Sequence, residues 1–313
     1  MRRRYYERRP HLRRRLVAPV ISIGNLTVGG SGKTPVAAEI ARMLMNMGER
    51  PAILSRGYAR VNPSEGVVIV SDASGIRTDV KHCGDEPYML AQTVPGTAVL
   101  VCSSRYLAGR VAESQLGCTV HLLDDGFQHF QLMRDIDLLV APPEDFADGL
   151  TLPFGRLREP LDAARGADAL LVPASEQATP AEMSERLQAP RAFGFSRIIA
   201  KPKSIARAFA FAGIARPERF YDDLERAGWQ LTGRRSFPDH HPYSAREIDD
   251  LGRAARESGS ELLVTTSKDL VRLAPRGAAA AQGVPILEVP LQISIDPAFQ
   301  PWLQERLMAT RSA

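Results

Sequence analysis

The sequence predicts an α/β protein whose mostly parallel sheet is covered by helices on both faces. Two observations support this fold class: short apolar runs alternate with helical patterns, and a glycine-rich loop joins the first such run to the first long helical pattern. Alternating strands and helices form βαβ units, which place parallel strands side by side. Because the loop also has the lysine of a phosphate-binding loop, we expect a fold of the P-loop NTPase type.

The predicted elements of the first half follow one another in a regular order. Residues 17–23 are apolar enough for a buried strand, and a helical pattern of apolar residues starts at Pro35. Pro35 suits the first turn of a helix, where its missing N–H costs nothing, and Gly48 suits the helix end. The other predicted elements are strands at 51–55, 67–70, 97–102, 119–123, 136–141 and 167–173 and helices at 86–94 and 104–115.

A second, smaller α/β domain is predicted after residue 188. The polar stretch "ASEQATPAEM" (174–183) indicates a surface segment at the end of the first domain. A new series follows, with strands predicted at 207–214, 261–267 and 285–291 and a helix at 216–228. The predicted domains are a basic arm over 1–16, a nucleotide-binding domain over 17–188 and a C-terminal domain over 189–313.

The composition suits a soluble globular protein. Of its 313 residues, 44% are hydrophobic and 24% charged, with a net charge of +4. The three cysteines (Cys83, Cys102 and Cys118) include no C-x-x-C pair, which argues against a disulfide framework or a zinc site and favours a reducing compartment. The sequence has no run of about 20 apolar residues that could form a spanning helix.

Basic charge is concentrated in the first fifteen residues, "MRRRYYERRPHLRRR", which hold eight arginines and one glutamate. The apolar stretch that follows is too short for a signal peptide. Two interpretations stay open: a solvated, disordered arm, or a polybasic patch attracted to anionic lipid, where each arginine contributes about 1 kcal/mol. Nucleic-acid binding is not expected, because no aromatic platform or known binding module accompanies the arginines.

The glycine-rich loop departs from the motif G-x-x-x-x-G-K-[ST] at its first position, where Thr27 replaces glycine. The rest of the loop has what phosphate binding requires: glycines whose backbone N–H groups can converge on an anion, Lys33 for charge, and the Thr34 hydroxyl for Mg²⁺. We therefore expect nucleoside triphosphate binding. The predicted phosphate-binding residues are Thr27, Val28, Gly29, Gly30, Ser31, Gly32, Lys33 and Thr34.

The nucleotide is expected to be ATP. Guanine-specific proteins use [NT]-K-x-D, with one residue between the lysine and the aspartate. In "TTSKD", Lys268 and Asp269 are adjacent, so the sequence does not support GTP specificity.

Two pairs of carboxylates follow predicted strands or precede a predicted helix. Asp124 and Asp125 end an apolar run, where a carboxylate commonly holds Mg²⁺ beside the loop threonine; a surface turn is the alternative. Asp85 and Glu86 stand between a glycine and Pro87, which fits a helix start. An aspartate in this place could also accept the proton of an attacking hydroxyl.

Two further stretches carry candidate residues whose local pattern is ambiguous. "FPDHHPY" offers His240 and His241, which suit a surface loop as well as a catalytic pair. "LPFGRLREP" offers Arg156, Arg158 and Glu159 as possible phosphate and metal partners.

Eight stretches occur together in an informative order: "VISIGNLTVGGSGKTP" (20–35), "SRGY" (55–58), "GDEP" (84–87), "DDGFQH" (124–129), "LPFGRLREP" (152–160), "FAGIARPERF" (211–220), "FPDHHPY" (237–243) and "TTSKDLVRL" (265–273). In this order they resemble the tetraacyldisaccharide 4'-kinase family of lipid A biosynthesis. The loop with a residue other than glycine at its first position is that family's own form. The resemblance implies ATP- and Mg²⁺-dependent phosphorylation of the 4'-hydroxyl of a tetraacyldisaccharide 1-phosphate.

The resemblance also implies roles for individual residues. Asp85 matches the family's catalytic aspartate, the base or orienter of the sugar hydroxyl, and His240 matches its partner histidine. Lys33 would neutralise the β- and γ-phosphates, and Arg158 would face the transferring phosphate. The metal shell would contain Thr34, Asp124, Asp125 and Glu159.

The N-terminal region departs from the resemblance. The family usually has a hydrophobic N-terminal helix, and here the arginine-rich arm stands in its place. We expect a peripheral protein at the cytoplasmic face of the inner membrane that contacts its anionic surface, with the acyl chains of the glycolipid near the N-terminal region.

Two rival functions stay open. One is a kinase of the same architecture that phosphorylates another glycolipid or sugar. The other is a non-transferring ATP switch that binds a membrane partner. The stretches "GDEP" and "FPDH" favour a kinase, because a switch does not need a pair of residues that activates a hydroxyl.

Overall fold

The computed structural model describes residues 2–57, 66–147, 149–175, 177–202, 206–273 and 280–312. The chain divides into two compact units. The first unit comprises Met1–Ser196 and Ile293–Ala313, and the second comprises Arg197–Gln292. Tyr58 of "SRGY" lies outside the described residues.

A ten-stranded sheet forms the centre of the first unit. Its strands are β1 (Val20–Gly24), β2 (Pro51–Ser55), β3 (Val68–Asp72), β4 (Gly75–Ile76), β5 (Ala98–Val101), β6 (Val120–Asp124), β7 (Ile136–Val140), β8 (Ala169–Pro173), β9 (Ala192–Ile199) and β15 (Leu291–Ile295). The strand order is β15-β9-β8-β7-β1-β6-β2-β5-β3-β4. All pairs from β9 through β5 are parallel, and β3 is antiparallel to both of its neighbours.

The central strands are buried on both faces. Every residue of β1, β2, β5 and β6 is buried, as expected where helices cover a parallel sheet on either side. The helices of this unit are α1 (Arg2–Glu7), α2 (Lys33–Asn46), α3 (Val80–Cys83), α4 (Asp85–Thr93), α5 (Arg105–Leu116), α6 (Pro180–Leu187) and α10 (Phe299–Ser312). The predicted α/β fold with a mostly parallel sheet is confirmed. None of the described helices combines the length and apolar character needed to cross a bilayer.

The first strand begins later than predicted. Val17 is 87% exposed, and β1 starts only at Val20. The backbone N–H groups of Val17 and Ala18 donate to the Glu113 carboxylate at 2.8 and 2.9 Å, so a side chain takes the place of a strand partner.

The polar segment at 174–183, predicted to be a surface segment, ends in a helix that the sequence analysis did not predict. Helix α6 begins at Pro180. Its N-terminus has a capping box, in which Thr179 accepts from the backbone N–H of Glu182 and the Glu182 carboxylate accepts from Thr179. Met183 and Leu187 bury its apolar side.

The described part of the basic arm is folded, which contradicts a disordered arm. After α1, the backbone of Arg14 accepts from Met133 and donates to Gln131, both at 2.8 Å. Leu16 is 4% exposed and packs in the core beside Ala108 and Ala112 of α5. The arm is therefore anchored where it joins β1.

The second unit contains a five-stranded sheet of order β11-β10-β12-β14-β13. The elements are β10 (Arg207–Ala212), α7 (Pro217–Arg226), β11 (Gln230–Ser236), α8 (Ala245–Glu257), β12 (Leu262–Thr265), α9 (Ser267–Leu273), β13 (Ala280–Ala281) and β14 (Val284–Glu288). Alternate residues of β10 pack in two hydrophobic clusters on opposite faces of the sheet. Ala208, Ala210 and Ala212 belong to the cluster that contains Phe220 of α7, whereas Phe209 and Phe211 belong to the cluster that contains Leu251 of α8.

Candidate active site

The glycine-rich loop leaves the carboxyl end of β1, the strand between β6 and β7 in the sheet. In the parallel register of β1 with β6, Ile23 stands opposite Asp124. The loop and the two aspartates of "DDGFQH" therefore reach the same edge of the sheet. Ligands of open α/β sheets bind at this edge, beyond the carboxyl ends of the strands.

Backbone geometry at two glycines shapes the loop. Gly32 has a φ of 87°, in the left-handed region that glycine adopts without strain, and α2 begins directly after it at Lys33. Gly24 touches the segment after β6 so closely that a Cβ there would clash with Phe127. The site therefore depends on glycine both where the loop begins and where it ends.

Lys33 is held among oxygen atoms at the start of α2. Its Nζ donates to Oδ1 of Asn25 at 2.9 Å, lies 3.4 Å from Oγ of Ser31, and lies 3.5 Å from Oδ1 of Asp125. The Lys33 side chain is only 12% exposed. Its ammonium group is therefore held in place at the start of α2 by three oxygen-bearing side chains.

Asp125 is paired with Arg158 as well as with Lys33. Nη1 of Arg158 donates to both carboxylate oxygens of Asp125, at 2.9 and 2.8 Å. Although burial raises the pKa of Asp125, the charges of Lys33 and Arg158 outweigh it, so the pKa lies below its ordinary value. Asp125 is therefore a carboxylate that sits between two cations. Arg158, predicted to face a phosphate, binds this carboxylate in the described structure.

Asp124 has the opposite environment. It is 4% exposed, and its Oδ1 has no hydrogen-bond partner among the described residues. Burial, followed by the charges of Glu86 and Asp125, raises the pKa of Asp124 from 3.8 to about 7. A buried carboxylate without a partner is costly unless a cation neutralises it, so this side chain fits a Mg²⁺ ligand.

Glu159, a predicted metal residue, is paired with the N-terminal arm. Nε of Arg3 donates to Oε2 of Glu159 at 2.8 Å, and the guanidinium lies 4.8 and 4.9 Å from the ring centroids of Phe127 and Phe130. Oε1 of Glu159 is buried and has no hydrogen-bond partner in the part of the chain described. The arm therefore reaches the residue next to Arg158, and the metal role of Glu159 stays a prediction.

Asp85 lies at the first position of α4 and is buried. The N-cap is Gly84, with φ 91°, and the Asp85 carboxylate accepts from the backbone N–H of Glu86 at 2.9 Å. The charge of Glu86 acts on Asp124, which places the start of α4 beside the carboxyl end of β6. The stretch "GDEP" is thus both a helix start and part of the edge that carries the loop.

Sequence reasoning missed Arg105, which is the first residue of α5 and is 5% exposed. Burial, partly offset by the charges of Asp124 and Asp125, lowers the pKa of Arg105 to about 10. Its Nε is buried without a hydrogen-bond partner among the described atoms. An arginine directly after the capping Ser104, at the carboxyl end of a strand, was the available signal.

His240 belongs to the second unit, where two cations face its ring. Nζ of Lys268 lies 3.3 Å from Nε2, and Nη2 of Arg272 lies 3.4 Å from Nδ1. Its backbone has a φ of 60°, and its N–H donates to Oδ1 of Asp239 at 3.0 Å. The stretches "FPDHHPY" and "TTSKDLVRL" therefore meet at this histidine.

Asp269, the aspartate next to Lys268, has a structural role in the second unit. Its fully buried carboxylate accepts from the Gly213 N–H at 3.0 Å, from the Tyr243 hydroxyl at 2.9 Å and from the Thr266 hydroxyl at 2.6 Å, and it pairs with Arg272 at 3.1 Å. These contacts join "FAGIARPERF", "FPDHHPY" and "TTSKDLVRL". Asp269 therefore holds together the loops that present His240.

The structure thus groups Lys33, Asp125 and Arg158 by direct contact, with Asp124 and Asp85 at the same sheet edge. His240 has its own set of contacts in the second unit. Within the described ranges, no cluster of three or more histidine, cysteine or acidic side chains could hold a metal by itself. A cation at Asp124 would therefore take further ligands from water or nucleotide, as Mg²⁺ commonly does.

Comparison with known proteins gives consistent results. The family model for LpxK, Tetraacyldisaccharide-1-P 4'-kinase, matches residues 1–308. A tetraacyldisaccharide 4'-kinase of Pelobacter propionicus is 40% identical over 298 residues, covering 91% of this chain and 82% of that protein. Its counterpart in Desulfotalea psychrophila is 39% identical over 273 residues, covering 82% and 78%.

A solved structure is also similar over nearly the whole chain. It is the crystal structure of LpxK from Aquifex aeolicus in complex with ATP, which aligns with a TM-score of 0.75 and 29% identity and covers 97% of this chain and 94% of that one. The glycine-rich loop, the sheet edge and these similarities lead to one conclusion: the chain belongs to the tetraacyldisaccharide-1-P 4'-kinase family.

Proposed function

We propose that the protein transfers the γ-phosphoryl group of ATP to the 4'-hydroxyl of a tetraacyldisaccharide 1-phosphate, forming lipid IVA. One observation carries the proposal: Lys33, held by Asn25 and Asp125, lies at the same sheet edge as the buried Asp124, whose Oδ1 has no hydrogen-bond partner among the described residues. Membership of the family, and the ATP complex of the Aquifex aeolicus relative, support both the donor and the acceptor.

The loop and its cations hold the donor. Backbone N–H groups at the start of α2 and the Lys33 ammonium bind the phosphates, and Lys33 neutralises charge on the β- and γ-groups. Arg158 is linked to Lys33 through Asp125, which contacts both side chains, and it can exchange that carboxylate for a phosphoryl oxygen. Catalysis of this kind comes mainly from positioning and from neutralising charge.

The residues at the sheet edge fit a Mg²⁺ ion. Asp124 would hold it, directly or through water, together with the Thr34 hydroxyl, and Asp125 and Glu159 would complete the proposed shell. When bound, Mg²⁺ would offset the negative charge of the nucleotide phosphates.

Asp85 is the proposed base. The 4'-oxygen attacks the γ-phosphorus, the bond to the β-phosphate oxygen breaks to release ADP, and the Asp85 carboxylate accepts the hydroxyl proton. For His240 we propose a part in the same step, on the resemblance alone. In its own unit its ring orientation is set by Lys268 and Arg272.

The proposed place of action is the cytoplasmic face of the inner membrane, with the protein bound peripherally. The N-terminal segment supports this: Arg4, Arg8 and Arg9 are exposed, and Leu12 and Val17, which follow in the sequence, are 41% and 87% exposed. Exposed cations with exposed apolar side chains are the combination that binds an anionic lipid surface.

A transfer assay tests the proposal. The purified protein is incubated with γ-labelled ATP, Mg²⁺ and detergent-solubilised tetraacyldisaccharide 1-phosphate, and label is counted in the extracted lipid. We expect label at the distal 4' position, and a loss of about a hundredfold to a thousandfold in the rate for Lys33→Ala. The exposed lysine substitution Lys201→Ala is the matched control and should keep the wild-type rate.

The rival functions give different outcomes in the same assay. Label in another glycolipid from a membrane extract, but not in tetraacyldisaccharide 1-phosphate, would favour a kinase with a different acceptor. Slow ATP hydrolysis without any labelled lipid would favour a switch.

A further inference from the structure

The first position of the phosphate loop, where Thr27 replaces the usual glycine, has a specific use in this structure. Thr27 is 1% exposed, and its backbone pairs in antiparallel fashion with Leu157. The Val28 N–H donates to the Arg156 carbonyl at 2.9 Å, and the Arg158 N–H donates to the Leu26 carbonyl at 2.6 Å. Thr27 forms a single β-bridge and its φ is not positive, so a residue with a side chain is accommodated.

The Thr27 side chain lies in a buried row of hydrogen bonds that begins at Lys33 and ends at Asp145. Nζ of Lys33 donates to Oδ1 of Asn25 at 2.9 Å, Nδ2 of Asn25 donates to Oγ1 of Thr27 at 2.9 Å, and the Thr27 hydroxyl donates to Oδ2 of Asp145 at 2.8 Å. All donors point the same way, towards a carboxylate. Asn25 is 1% exposed, and the Asp145 side chain is fully buried.

The direction of the row fixes the orientation of the Asn25 amide. Because the Thr27 hydroxyl gives its proton to Asp145, its oxygen is left to accept from the Asn25 NH₂ group. The amide oxygen of Asn25 must then face Lys33. Without the Thr27 hydroxyl, the amide loses its partner and can rotate, and Lys33 loses a fixed acceptor.

Asp145 is tied in turn to the other side of the loop. It lies in a short 3-10 helix (Pro143–Phe146) after β7, and its Oδ1 lies 3.7 Å from Nη1 of Arg156. Nη2 of the same arginine donates to the Val28 carbonyl at 3.0 Å. One carboxylate thus holds the side chain of Thr27 and, through Arg156, the backbone of the next residue.

From these contacts we infer that Asn25, Thr27 and Asp145 are positioning residues, which act through Lys33 to place its ammonium group for the nucleotide phosphates. The inference rests on the proposed use of Lys33 in ATP binding. It assigns Thr27 a side-chain role in place of the phosphate contact that the glycine-rich motif suggested. Asp145, in the stretch "PPED", was not among the predicted site residues.

The experiment measures Lys33 directly and does not need the lipid acceptor. An acyl phosphate of ATP transfers its acyl group to a lysine beside the bound phosphates, and mass spectrometry of the peptide gives the rate at Lys33 at saturating probe. For Thr27→Val, which keeps the shape but removes the hydroxyl, we expect this rate to fall about tenfold or more. For Thr27→Ser, which restores the hydroxyl, we expect a rate within about twofold of wild type.

Thr97→Val is the matched control. Thr97 lies in the same unit and is as buried as Thr27, and its hydroxyl donates to Sδ of Met45 at 3.0 Å. It directly precedes β5, at the amino end of that strand and therefore at the opposite edge of the sheet from the loop. Its substitution removes a buried hydroxyl away from the loop and should leave Lys33 labelling unchanged. A general loss of packing would instead affect Thr27→Val and Thr97→Val alike.

If Thr27→Val does not fold, Asp145→Asn is the second test, because it removes the charge at the end of the row with little change in shape. We expect Lys33 to be labelled at least about threefold more slowly in this variant, since a charge-assisted hydrogen bond is replaced by a weaker neutral one. Wild-type labelling of Lys33 in a folded Thr27→Val or Asp145→Asn variant would overturn the inference. Absence of labelling in the wild-type protein would instead count against ATP binding and so against the proposed function.

Discussion

Asp124 and Asp125 are neighbours in sequence, yet the fold moves their pKa values in opposite directions. Burial and the charge of Glu86 raise the pKa of Asp124 to about 7, whereas Lys33 and Arg158 lower that of Asp125. The division follows from position: Asp124 is the last residue of β6, and Asp125, with a φ of 53°, turns its carboxylate towards the cations. Asp125 therefore forms ion pairs with two cations, whereas burial and neighbouring acids outweigh the charges of Lys33 and Arg105 at Asp124.

Substitution of Asp124 should stabilise the nucleotide-free protein. In the folded state the pKa of Asp124 is raised from 3.8 to about 7, so the folding stability that its neutral carboxyl contributes is fully present below pH 3.8. This stability is lost as the pH rises through about 7. In the absence of Mg²⁺ and ATP, we expect Asp124→Asn to be more stable than wild type at pH 8, on the order of 1–3 kcal/mol. The difference should vanish near pH 4, as measured by denaturant unfolding. A variant less stable than wild type at pH 8 would contradict the assignment of an uncompensated carboxylate.

Substitution of Asp85 should separate catalysis from ATP binding. For Asp85→Asn we expect kcat to fall by a factor of about 100 to 10,000, the usual contribution of a general base, with Kd for ATP nearly unchanged. The measurement combines the transfer assay with ATP titration calorimetry. Asp79→Asn is the control: Asp79 caps α3 but is largely exposed, so its loss should affect local stability and leave kcat near wild type. Normal kcat with weakened ATP binding in Asp85→Asn would argue against the base.

The sequence was sufficient for the elements that carry strong local patterns. The loop, its strand and helix, and the aspartates after β6 follow from apolar runs, glycines and charges, which act over a few residues. Strand β11 and helix α8 were among the elements that were missed. β11 is an edge strand with mixed polarity, whereas α8 carries the capping box of Ser244 and Glu247, a local signal from which its start could have been predicted.

Contacts between distant segments could not be predicted from local patterns. Arg3 reaches Glu159 across 156 positions, and Asp145 reaches Thr27 across 118. Each such pair depends on which strands become neighbours, and a single sequence does not specify that order. The pairing of Asp85 with His240 was likewise indicated by the family resemblance and not by local patterns in the sequence.

The two histidines of "FPDHHPY" should respond differently to substitution. His241 packs against the ring of Phe237 and lies 2.9 Å from Oε1 of Glu247, so His241→Ala should lower Tm. The His240 side chain is more exposed than that of His241 (26% against 18%), and we expect His240→Ala to reduce kcat about tenfold to a thousandfold with a smaller change in Tm. Differential scanning fluorimetry and the transfer assay on both variants make the comparison. The prediction fails if His241→Ala alone reduces kcat while His240→Ala is fully active.

The N-terminal arm should bind anionic membranes through its exposed arginines. Each arginine near such a surface contributes about 1 kcal/mol, so Arg8→Gln with Arg9→Gln should weaken binding to vesicles with 30% phosphatidylglycerol by about thirtyfold. Sedimentation with vesicles measures this, and 0.5 M salt should weaken the wild-type protein similarly because surface charges are screened. Arg253→Gln with Arg256→Gln removes the same charge from an exposed face of α8 and is the control. Equal loss of binding in both double variants would mean that net charge, and not the arm, drives attachment.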